Sequence, residues 1–277
     1  MSKPHQTDHP HPATPGRPIL GLHLRGHLGG AIAQHRAISR LHLPLQRLWV
    51  GLVLASGLTA LLLVLRPWVA QAWAVEIVWW LRALELPGHF DVQGRGGDGA
   101  LALAVPFIDV QLAAPNGWVP VWHALVVLCV WWAAGRMSDA AKPVAYLLRF
   151  AVLIHGASVL FFLFWPASFP HSVDLHTGSG LRQAWHLMLL APWIHFATYY
   201  LFPFALWQRV LVTLLSWLFL LVLTPLQYAL HVALVQHMGL LVMPLLHLLF
   251  GVMLDIIGFV AIYGWAMGWK MPGAAHA

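Results

Sequence analysis

Residues 48 to 65 read LWVGLVLASGLTALLLVL, eighteen positions without a charge. Wound as a helix, such a run is just long enough to cross the hydrocarbon core of a bilayer. In lipid every backbone N–H and C=O must be paired, which leaves only helices and closed barrels as spanning structures. Comparable runs recur at residues 121–135, 143–165, 184–207, 210–235 and 240–269. With 60% hydrophobic and 9% charged residues and a mean hydropathy of +0.73, the 277-residue chain has little left over for a separate soluble domain. The expectation is an all-α polytopic membrane protein of about six transmembrane helices, occupying residues 48–269.

The six runs are not joined uniformly. After the first, Arg66-Pro67 marks an interface, and residues 68–88 mix Glu76, Arg82 and Glu85 with four tryptophans, as an interfacial helix would. In residues 88–119, GRGGDG separates HFDVQ from ALALAVPFIDVQLA, whose apolar alternation changes phase near Pro106. This predicts a small extracytoplasmic β-hairpin or sheet between helices one and two. The loop RMSDAAK joins helices two and three, and PASFPHSVDLHTGSGLR joins helices three and four.

Orientation follows from basic residues. Six of fifteen (Lys3, Arg17, Arg25, Arg36, Arg40, Arg47) precede the first run. Counting Arg136, Lys142, Arg149, Arg209 and Lys270, the side holding the termini has eleven basic residues against four. That places both termini on the cytoplasmic side, and the expected location is a bacterial inner membrane. The same distribution accounts for the formal charge of +6 without nucleic acid as a partner. Residues 1–18, rich in Pro, His, Thr and Gly, are expected to be a disordered tail. Residues 19–47 are expected to be a basic interfacial segment on the leaflet surface, and residues 270–277 a short cytoplasmic tail.

Polar groups within the runs are the candidate site. Asp255 lies mid-run in LLFGVMLDIIGFVAIYGW, where a carboxylate costs about 2.5 to 3.5 kcal/mol to insert, so a histidine partner is expected for it, His195 or His231 first. His231, His237 and His247 sit on the adjoining ends of helices five and six, and His186 and His195 on helix four. His123, near the outer end of helix two, and Arg149, in helix three, complete the set. A single histidine in a membrane helix commonly bonds a neighbouring backbone group, and no HExxH or CxxC occurs within the helices. No metal ligand set is therefore assigned, and the cofactor is left unknown. Cys129, the only cysteine, lies between Leu128 and Val130, surroundings that generate no thiolate.

The first span, the strand segment ending in Pro115-Asn116-Gly117, and the following hairpin with its basic loop resemble the exosortase and archaeosortase group of membrane peptidase-transpeptidases. That family opens the helix after the turn with a Cys-Ser-Gly nucleophile, completed by an arginine and a histidine. Here the stretch reads WVPVWHALVVLC, with Leu125 near the nucleophile's place and Val130-Trp131 after Cys129. The first half of the chain is thus more similar to the non-catalytic membrane proteins associated with exosortase H. The resemblance implies no catalytic residue. It implies an integral membrane accessory or scaffold, in contact with the bilayer and another membrane protein, assisting the sorting or processing of exported proteins. Two other classes stay open on the residues alone: a histidine-ligated haem or metal subunit of a membrane complex, and a small transporter.

Overall fold

A computed structural model describes residues 45–86, 89–95, 99, 101–110, 112, 117–201 and 204–269. The expected tails at 1–18 and 270–277, and nearly all of the basic segment 19–47, lie outside the described residues.

Seven helices and two strands follow in the order α1 (Leu45–Ala83), β1 (His89–Arg95), β2 (Val105–Asp109), α2 (Trp118–Gly135), α3 (Lys142–Phe164), α4 (Val173–Leu201), α5 (Leu206–Met238), α6 (Met243–His247) and α7 (Met253–Met267). A π-helical turn, Leu248–Val252, joins α6 to α7, so that Leu240–Met267 forms one interrupted rod. Among the described residues, five segments are long and apolar enough to cross a membrane: α1, α2, α3 with its preceding turn, α5, and that rod. The chain is a predominantly helical, multi-pass membrane protein.

Two expected boundaries are corrected. The first run and the supposed interfacial helix are one helix of 39 residues, with Pro67 inside it. Its second half is not laid on a surface, because Val69, Trp73, Ile77 and Leu81 are buried while Trp68, Val75 and Trp79 face outwards. Helix four starts at Val173, eleven residues before the expected Ala184, inside the segment read as a loop. Ser172 caps it, its Oγ accepting from the Leu175 amide at 3.1 Å, and Asp174 follows in the first turn. Although long enough to span, α4 falls short in apolarity. It packs on both α1 and α5, and a helix face packed on other helices can carry polar groups that a lipid-facing one cannot.

Prolines interrupt the three central helices, at Pro67 in α1, Pro192 in α4 and Pro225 in α5. Each proline lacks the N–H that would pair the carbonyl four residues earlier. Tryptophans from neighbouring helices take two of these carbonyls: Trp217 donates to Met188 at 2.8 Å, and Trp73 to Leu221 at 3.0 Å. These bonds also fix the course of α1. Gly51 lies against Phe196, whereas Trp73 reaches Leu221. The two α1 positions are about 33 Å apart along a helix, but their partners differ in height along the α4–α5 pair by only about 14 Å, taking His195–Thr213 and His176–His231 as level. So α1 crosses that pair obliquely, with Pro67 between the two contacts.

The strands pair antiparallel, with His89 opposite Asp109 and Phe90 opposite Ile108, and the register shifts between Asp91 and Arg95. Leu103, Val105 and Ile108 are buried against α1 and α4 in the main core. Arg66 donates to the carbonyls of Gly99 and Ala102, and Trp185 to that of Leu101 at 2.7 Å, fastening the segment to both helices.

Candidate functional site

Helices α4 and α5 run antiparallel, and this brings His176, near the start of α4, against His231, near the end of α5. Nε2 of His176 is 3.2 Å from Nδ1 of His231, and the rings stack with centroids 5.4 Å apart. His247, at the end of α6, presents an edge to His176 at 5.5 Å. Tyr228, one turn before His231, stands edge-on to both rings of the pair, at 5.6 and 5.1 Å. Tyr228 is fully buried because Gly180 admits it: any Cβ at Gly180 would overlap the phenol ring. On its other side the hydroxyl lies beside Gly251 of the π-turn. Such turns leave backbone carbonyls partly free, and Nε2 of His231 faces the carbonyl of Phe250 without a hydrogen bond of regular geometry.

Asp255, on α7, is 2% exposed. The expected hydrogen bond to His195 or His231 is not formed, and Oδ1 has no partner. His195 is instead held by Thr213, with Nδ1 at 2.9 Å from the hydroxyl oxygen, and its ring stacks on Phe259 at 4.9 Å. Thr213 donates its own proton to the Arg209 carbonyl, so His195 must donate through Nδ1. His231 is bonded to His176. The remaining candidates lie apart from this cluster. His123 on α2 meets His155 on α3, Nδ1 to Nε2, at 2.8 Å. Arg149 places its guanidinium 5.5 Å from the Trp131 ring centre, which ties α3 to α2 through a cation–π contact.

A cavity of about 820 Å³ opens beside the cluster, between α3, α4 and α6. His171, His176 and His247 lie along it. Phe161, Phe169 and Met243 contribute apolar wall. Leu175 and Leu248, 45% and 48% exposed, stand at its mouth. Among the described lining residues there is no Lys, Arg, Asp or Glu.

Sequence reasoning placed His176 in a loop and did not consider Tyr228. The signal for the first was available: Ser172-Val173-Asp174 is a helix start, and moving α4 forward puts His176 in its first turn. Nothing local marks Tyr228, whose position depends on two glycines from other helices.

Together the fold and the site define a multi-pass helical membrane protein with a buried imidazole cluster bordering an internal cavity. No family model, curated protein or solved structure matches the chain. Among the described residues, no group of three or more His, Cys, Asp or Glu side chains could hold a metal ion.

Proposed function

We propose that this chain is a non-catalytic accessory protein of a bacterial inner membrane, with both termini cytoplasmic, that assists an exosortase-type sorting and processing system by binding. The observation that carries this reading is the position of Cys129. The chain's one thiol is exposed on α2, six residues and so about 120° around the helix from His123. A thiol needs a base within hydrogen-bond reach to become a nucleophile, and the buried imidazoles converge elsewhere. The α2 helix packs on α3 and turns Trp122, Leu125, Leu128 and Trp132 outwards, a surface for lipid or a partner's helix.

The test uses a host that contains an exosortase-type enzyme and an exported reporter with a C-terminal recognition helix. Deleting this chain should lower the processed fraction, and Cys129→Ser should restore it fully. Cleavage of the reporter by the purified chain alone, or failure of Cys129→Ser at normal membrane levels, would refute the reading.

The imidazoles of His171, His176 and His247 along the cavity leave a second reading, a haem subunit in which one or two of them would be axial ligands. A visible absorption spectrum of the purified chain decides it: a Soret band present in the wild type and lost in His176→Leu would replace the accessory reading.

A further inference from the structure

We propose that the cavity between α3, α4 and α6 binds a neutral ring that bears hydrogen-bonding oxygens and a long apolar tail, the chemistry of an isoprenoid quinone. The inference goes beyond the accessory reading and does not depend on it.

Size comes first. About 820 Å³ lies within the range of sites that enclose a whole small molecule. The walls then exclude charge, because the described lining offers no ionic side chain to a carboxylate or phosphate. Flat aromatic surface is provided by Phe161 and Phe169, which meet edge to face at 6.0 Å. A tail has an exit between Leu175 and Leu248, whose side chains are exposed. Along α3 the cavity is lined from Phe161 to Ile154, about 10 Å of helix, and Ile154 lies about 15 Å from the helix end at Phe164. The head would thus lie inside the hydrocarbon layer, where an isoprenoid tail already resides.

The polar contacts then select the head. Ser158 and Ser179 donate their protons to the carbonyls of Leu241 and His176. The donors left for a ligand are imidazoles, above all Nδ1 of His176, since Nε2 is engaged with His231. One proton is shared between those two facing nitrogens, so the pair has two arrangements. If His231 donates, His176 accepts at Nε2 and presents an N–H at Nδ1. If His176 donates through Nε2, Nδ1 presents a lone pair and His231 carries its proton at Nε2, towards the Phe250 carbonyl. The site can therefore meet a carbonyl oxygen with a donor and a hydroxyl with an acceptor. Quinone and quinol heads differ in that respect, and a fixed donor would suit one only.

The experiment uses the full chain in nanodiscs of phosphatidylethanolamine and phosphatidylglycerol, with a photoreactive azido-ubiquinone. Labelling is expected on the peptides spanning 154–179 and 243–248. Unlabelled ubiquinone should compete, whereas oleic acid and added phospholipid should not. Ala157→Trp, which fills the cavity from α3, and His176→Leu should each lower labelling about tenfold. Because His176→Leu removes a buried contact, His247→Gln serves as a milder second variant, expected to weaken labelling with an unchanged thermal transition. Labelling spread over lipid-facing peptides and indifferent to Ala157→Trp would overturn the proposal. Equal competition by oleic acid would overturn the quinone class. The reporter-processing assay is read separately on the same variants, so failure here is distinguishable from failure of the accessory reading.

Discussion

The indole N–H of Trp217 on α5 donates to the carbonyl of Met188 on α4, 2.8 Å away, and that carbonyl is the one Pro192 leaves without a partner. In a bilayer an unpaired carbonyl has no water to turn to. The proline and the tryptophan are therefore one unit spread over two helices, and the same holds for Pro225 and Trp73.

The first prediction tests that unit. Trp217→Phe keeps most of the apolar volume but removes the donor, and should lower stability by about 1 kcal/mol. In a Pro192→Ala background, the backbone N–H restored at that position can pair the Met188 carbonyl within α4, so the same Trp217→Phe change should cost much less. Thermal unfolding in detergent of the four proteins of the cycle gives the coupling. Equal costs in the two backgrounds would show that the indole bond is incidental.

A second prediction concerns Gly180. A methyl group there would overlap the Tyr228 ring, which has no free space to retreat into, being 1% exposed between α4 and the π-turn. Gly180→Ala should destabilise by about 1 to 3 kcal/mol. Adding Tyr228→Ala removes the overlap, so the double variant should lose less than the two single losses combined. Additive losses would mean that the phenol is not what crowds the site.

These two units also mark where the sequence is readable and where it is not. Apolar runs found α2 and α3 to within a few residues, because a lipid-facing helix must be apolar along its whole length. α4 packs one side on α1 and α5, so its first eleven residues can carry His176, Thr177, Ser179 and Arg182 and read as a loop. For the same reason the second half of α1 looked interfacial: its charges and tryptophans are real, but its other face is buried by contacts with distant helices. Asp255 and His231 were legible as buried polar groups from their apolar neighbours alone. Which groups they meet depends on the relative heights of α4, α5 and α7, and no local pattern encodes that.

The third prediction is the topology. The excess of basic residues at the ends that share a side with the termini supports cytoplasmic termini. The outer loop ends where α4 begins at Val173, so it is probed at residue 168. A periplasm-active reporter should work after residues 95 and 168 and stay silent after residue 139 and at the C-terminus. Activity after residue 139 would invert the model.

The fourth prediction is a revision forced by Asp255. An imidazole partner would make the carboxylate a structural element, and Asp255→Leu would then cost about 1 to 2 kcal/mol by orphaning that imidazole. Instead, Oδ1 has no hydrogen-bond partner among the described residues. No hydrogen bond of Oδ1 is lost on substitution, so Asp255→Asn and Asp255→Leu should both accumulate normally and unfold at or above the wild-type temperature. A buried carboxylate that contributes nothing to folding has its ionisable proton left as a role. Asp255→Asn should therefore impair reporter processing as severely as Asp255→Leu, since the amide keeps the shape but cannot ionise. Full processing by the Asn variant would show that the carboxylate's charge is not used. Loss of membrane protein in the Leu variant alone would show that it has a partner after all.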